Sequence, residues 1–136
     1  MATCHAEALN KLSACLQLDR KAVGVRFLFT KEEYDACPVP QAKAKMAYCV
    51  MVKIASSGVR LKADLPLFGC GGATRALGLE PPSPDFSAGK EYLDFGLYQD
   101  LATAKDAARH ITLCNHKLHG VMLQPLSDFT EDCPPH

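Results

Sequence analysis

The apolar residues of this chain switch repeatedly between helical and strand spacing, and that switching excludes any architecture built from one element type. Residues 6–18, "AEALNKLSACLQL", place Leu9, Leu12 and Leu16, with Ala8 and Cys15, on one helical stripe. The spacing predicts an amphipathic helix. A polar break at 19–21 follows, and "AVGVRFLF" (22–29) then puts Val23, Val25, Phe27 and Phe29 on one side of a strand. Thr30 with Glu33 fits a capping box that opens a short helix ending near Ala36. The two prolines of "CPVPQ" (37–41) cannot continue it.

The same switching recurs further on. "KAKMAYCVMVKIAS" (43–56) reads as a helix apolar on most sides, hence central in the core, and Gly58 stops it. Val59, Leu61 and Ala63 alternate in "VRLKADLPL", a second strand. "ATRALGL" begins a short helix closed by Gly78. "EPPSPDFSAG" (80–89) has loop composition. In "QDLATAKDAARHI" (99–111), Leu101, Ala104, Ala108 and Ile111 share a helical stripe. "GVMLQPL" (120–126) reads as a strand, and the tail "SDFTEDCPPH" has little to bury. The expectation is one α+β domain over residues 1–136, a small, mainly antiparallel sheet packed with four to five helices. A fully parallel array is disfavoured because several connections are too short for crossovers.

Charge narrows the partners. Fifteen basic and fifteen acidic residues balance, without a Lys/Arg block. No electrostatic ground for a nucleic-acid or membrane partner exists, and a near-neutral surface permits self-association. The start of the chain is interrupted by His5, Glu7, Asn10 and Lys11 and lacks the apolar centre of a secretory signal, so the cytoplasm is the expected compartment.

Cysteine is the unusual component: seven residues, at 4, 15, 37, 49, 70, 114 and 133. An odd number without an export signal argues against a disulfide framework. No two cysteines are closer than 11 residues, so there is no C-x-x-C and no ordinary zinc knuckle or thioredoxin motif. Any metal site would be assembled by the fold or by a second chain.

"LPLFGCGGATRALGL" (65–79) sets Cys70 against Gly71 and Gly72 just before a helix. A helix start favours a thiolate, its free amides attract anions, and glycine lets a ligand approach the backbone. The missing Lys and Ser/Thr exclude a phosphate loop. Cys49 is the natural partner, with Lys53 one turn on to stabilise a thiolate. The plain alternative for both is a cysteine packed as a small hydrophobe. "CNHKLH" (114–119) gathers Cys114, His116 and His119 in no standard metal spacing, which solvated histidines also produce. Pairing Cys70 with His110 or His116 as nucleophile and base is chemically possible but unspecific. Glu32 and Glu33 read as solvated carboxylates.

In order, "LQLDRKAVGVRFLFTKEEYD", "KMAYCVMVKIASSG", "CGGATRALGL", "GLYQDLATAKDAARH" and "GVMLQPLSDF" resemble the domain of unknown function 169 family over residues 8–129. The resemblance implies a prokaryotic cytoplasmic protein. It raises Cys49 and Cys70, which fall inside the most specific segments, above the other five cysteines. Family members are typically longer past "PLSDF", which implies a shortened member or fragment. A shortened sheet would leave an open edge and favour a homodimer.

Three functions follow as expectations. The first is a metal, iron–sulfur or other cofactor site, zinc included, with Cys49 and Cys70 as ligands, Gly71 and Gly72 supplying amides and Lys53 nearby charge. Four thiolates would be reached across a dimer. The second is a thiol-dependent enzyme or small-molecule-binding protein with Cys70 as the reactive group. The third is a structural or oligomerising module whose cysteines only pack.

Overall fold

The computed structural model describes residues 4–130 and 132–136. Three strands, β1 (Val23–Leu28), β2 (Leu61–Asp64) and β3 (Gly120–Pro125), form one antiparallel sheet in the order β1-β3-β2. The last strand in sequence is thus the central one, and all six of its residues are buried. Val25, Leu123 and Leu61 stand in one cross-strand row, and Phe27, Val121 and Ala63 in the next. Both rows face the larger core, which Met51, Ala55, Phe68, Leu79 and Leu118 complete. The alternate residues Leu28 and Met122 face a smaller cluster with Tyr34, Val39 and Phe129. Period-2 alternation therefore serves two cores.

Among the described residues seven α-helices surround the sheet: α1 (Cys4–Leu16), α2 (Lys31–Ala36), α3 (Tyr48–Ser56), α4 (Gly71–Leu77), α5 (Pro84–Ser87), α6 (Lys90–Asp94) and α7 (Leu101–Arg109). The α+β class and the antiparallel sheet are as expected; the additional helices are short ones. Thr30 caps α2 as expected, and the return bond from Glu33 falls one residue before the cap. The Thr30 hydroxyl accepts from the Glu33 amide at 3.2 Å, while the Glu33 carboxylate accepts from the Phe29 amide at 2.7 Å.

Several expectations need correction. Residues 43–47 are not helical: Met46 pairs in parallel with Phe68, and α3 starts only at Tyr48. Nor is α3 apolar-buried all round, since Met51 and Ala55 are fully buried while Cys49 and Val50 face solvent. Residues 80–89 contain α5, capped by Ser83 with Pro84 in its first turn, and Phe86 beneath it is buried. The stripe of α1 is uncovered at Leu12 and Leu16; Leu101 of α7 and Ile111, which lies beyond the end of that helix, are likewise exposed.

The tail does bury something. Phe129 fills the space over Gly24, where a Cβ would come within 2.3 Å of its ring. His136 donates its amide to the Val25 carbonyl at 2.9 Å and accepts the Phe27 amide on Nδ1 at 2.9 Å, with its ring stacked on Phe27. The outer edge of β1 is thereby taken. The outer edge of β2 is partly paired too, through Lys62 with Pro40 and Ala42. The open edge expected to favour a homodimer is not available along these residues.

Tyr34 illustrates a cost accepted in the smaller core. Among the described residues its hydroxyl, which is buried, has no hydrogen-bond partner, nor has one buried carboxylate oxygen of Asp64. Burial first, and then the Asp64 charge, push the Tyr34 hydroxyl up to about 12 from an ordinary 10.0. The folded state therefore holds this proton more tightly than the unfolded state. Stability from this group is fully present below the unfolded value and is lost as pH rises through the folded one. Tyr34→Phe is expected to be at least as stable as the parent at neutral pH, because it removes an unpartnered hydroxyl. Urea titrations should also show that it lacks Tyr34's share of the stability lost between about pH 10 and pH 12.

Candidate functional site

The two segments that carry the candidate thiols lie side by side. Met46 accepts from Gly69 (2.8 Å) through its carbonyl and donates its amide to Leu67 (3.0 Å), the pattern of a short parallel ladder. At Gly69 a Cβ would stand 3.2 Å from the Met46 carbonyl carbon, so the approach is close. Tyr48 stacks on Phe68 with ring centroids 6.0 Å apart. From this paired stretch the two strands of chain leave as helices, α3 at Tyr48 and α4 at Gly71. Cys49 is the second residue of α3 and Cys70 is the N-cap of α4.

Cys49 is exposed and Cys70 half-buried. The reading in which both are packed as small hydrophobes does not describe them. Lys53 is exposed one turn beyond Cys49. Among the described residues neither α3 nor α4 has a side-chain cap, whereas Thr30, Ser83 and Asp100 cap α2, α5 and α7.

Gly71 and Gly72 are both exposed. Neither has the positive φ that would demand glycine; those positions are Gly58, Gly78, Gly89 and Gly96. A Cβ on Gly72 would meet only the Cys70 sulfur, at an ordinary 3.9 Å, and one on Gly71 would press the flexible end of Arg75 at 3.3 Å. Packing therefore gives no reason for glycine at Gly72, and helix propensity argues against it. Its bareness leaves open space beside the Cys70 thiol.

Among the described residues, no group of three or more His, Cys, Asp or Glu is placed to hold a metal ion. The other thiols fall elsewhere. Cys15 is exposed on α1. Cys37 and Cys133 line a cavity of about 440 Å³ on the far side of the sheet, with the Cys37 sulfur 3.4 Å from that of Met122. Cys133 is fixed by pairing with Thr130 and, like His136, is part of the folded tail. Cys4 and His5 have side chains outside the described residues.

The histidines separate. His119 packs edge-on to Tyr34, and His110 sits against the Asp106 carbonyl at 2.8 Å. His116 instead contacts Cys114, Sγ to Nε2 at 2.9 Å. The unspecific pairing of Cys70 with a histidine is thus replaced by a defined pair that needs no second element to bring it together.

Fold and site define a small α+β domain that presents two solvent-accessible thiols on adjoining helix starts. The family model DUF169, described as uncharacterised ArCR, matches residues 11–136, and the chain belongs to that family. No curated protein and no solved structure matches the chain. Among the described residues, no helix is long and apolar enough to cross a membrane.

Proposed function

We propose that this protein is a cytoplasmic binding domain that holds a soft metal ion or an iron–sulfur cluster through Cys49 and Cys70, two copies of the chain supplying four thiolates. One observation carries the reading: the Met46–Phe68 pairing delivers both thiols to adjoining helix starts, with neither packed away in the core. Thiolates select soft cations, and two ligands leave the coordination of zinc or of a cluster incomplete. A second copy related by a two-fold axis completes it without any new residue type. Lys53 and the amides of Gly71 and Gly72 offset the negative charge that gathers when thiolates converge.

Gly72 separates ligand binding from stability. Gly72→Ala is expected to raise stability by up to about 1 kcal/mol, since alanine is the better helix former and its Cβ meets no obstacle. The same Cβ stands next to the Cys70 sulfur and narrows the approach of a ligand. The expected result is therefore a more stable protein that binds metal less well. A variant that gains stability and keeps full metal content would remove glycine's functional rationale.

Purification without oxygen, followed by iron, acid-labile sulfide and zinc determination per chain, tests the reading. The expected result is bound metal that Cys49→Ser and Cys70→Ser each abolish while the protein stays folded. Stable, folded wild-type protein without metal, unable to take up iron and sulfide or zinc on reconstitution, would contradict it.

A further inference from the structure

A second thiol site stands apart from the motif cysteines. The loop before β3 carries Cys114 and His116, which line a cavity of about 440 Å³ together with Gly78, Leu79, Pro81 and Leu113. The cavity exists because the C-terminal end of α4 lets that loop come close. Gly78 takes φ +78°, its carbonyl accepts the Leu118 amide at 2.8 Å, and the His116 carbonyl and Cys114 sulfur occupy the space a Cβ would need. The imidazole is steadied on its other side by Phe27 and Phe29, with ring centroids at 5.8 and 5.4 Å.

The 2.9 Å contact between Cys114 Sγ and His116 Nε2 is a proton-sharing distance. A zinc ion bridging the same atoms would hold them about 3.6 Å apart, from metal–sulfur and metal–nitrogen bonds near 2.3 and 2.05 Å at a tetrahedral angle. A thiol in contact with an imidazole nitrogen is the arrangement that activates a cysteine nucleophile. Cys114 is half-buried at the cavity wall, where a bound molecule can reach it. The apolar wall of Leu79, Pro81 and Leu113 suits a small acyl chain, and Asn115 and Lys117 at the same cavity carry donors for its carbonyl oxygen.

We propose that Cys114 and His116 form a nucleophile–base pair that accepts an acyl group from a small ester or thioester bound in this cavity. In the step, the Cys114 sulfur bonds to the carbonyl carbon as His116 Nε2 takes the thiol proton. The carbon–leaving-group bond then breaks, the leaving group departs with that proton, and a thioester remains on Cys114. The sum is R–CO–X plus Cys–SH giving Cys–S–CO–R plus HX, with no change of oxidation state.

The full-length chain treated with p-nitrophenyl acetate provides the test, with acetylated cysteines located by mass spectrometry of peptides over time. Cys15, exposed on α1, is the internal reference thiol. Cys114 is expected to acetylate about 10²- to 10⁴-fold faster than Cys15, the range of a positioned base. His116→Asn should remove that advantage, and added imidazole should restore part of it. Acetyl groups located on Cys114 rather than on Cys49 or Cys70 separate this site from the metal site proposed above. Acetylation of Cys114 no faster than Cys15 in the unmutated chain overturns the proposal, as does an undiminished rate in folded His116→Asn.

Discussion

Gly78→Ala is expected to lower the unfolding free energy by about 2–5 kcal/mol, as two costs add. The residue closes α4 in the left-handed region at φ +78°, where any side chain beyond glycine costs about 1–2 kcal/mol. A Cβ would also lie 2.2 Å from the His116 carbonyl oxygen. That neighbour is backbone and cannot rotate aside, so the loop must move. Movement breaks the Gly78–Leu118 hydrogen bond, and Leu118 is almost fully buried. An unpaired buried donor costs about 1–3 kcal/mol. Urea or thermal unfolding measures the sum. The same substitution at Gly72, a few residues earlier in α4, has the opposite expected sign, because there neither φ nor a neighbour objects. A Gly78→Ala protein as stable as the parent would mean that the loop before β3 is not held where described.

The second large effect belongs to Met51. Its side chain is completely buried between α3 and the sheet, in the core that Leu61, Val121 and Leu123 share. Met51→Ala is expected to cost about 2–5 kcal/mol, the transfer and cavity contributions together. Val50, its neighbour in sequence, is 42% exposed, and Val50→Ala is expected to change stability by no more than about 0.5 kcal/mol. Measured in one denaturation series, the pair tests whether α3 buries a single face. Equal costs at both positions would restore a helix enclosed on all sides.

The fold was legible wherever a local interaction decides it. The Thr30–Glu33 box, the prolines at 38 and 40, and the glycines at 58 and 78 act on their own neighbours, and all mark real boundaries. The alternation in β1 and β2 was legible because one face of each packs on the larger core. The failures share a long-range cause. Residues 43–47 have helical composition, but Met46 is claimed by the backbone of 67–69, twenty-odd residues away in the chain. The tail looked idle because its partners, Gly24, Val25 and Phe27, lie in β1. Only α5 had a readable signal that composition overrode: Ser83 before Pro84 is a cap followed by the residue best suited to a first helical turn.

The candidate sites divide in the same way. Cys70 at a helix start follows from the glycines and the run behind them, so its placement was readable. That the helix carrying Cys49 starts beside the segment leading to Cys70 depends on the Met46–Phe68 pairing, which no spacing encodes. Cys114 and His116 are two residues apart, and their closeness was visible as a cluster of ligand types. Their orientation, sulfur to Nε2 with a cavity beside them, depends on how Gly78 seats the loop. Gly78 is a helix stop and also the support of that loop.

The central claim, that Cys49 and Cys70 act together as soft-metal ligands, is tested most directly by anaerobic titration with cadmium, followed through its thiolate charge-transfer absorption and by the mass of the species in solution. The expected result is saturation at one cadmium per two chains, a change from one copy to two on binding, and loss of both signals in Cys49→Ser and in Cys70→Ser. Cadmium uptake that is absent in the wild type, or that persists unchanged in the double variant, would contradict it.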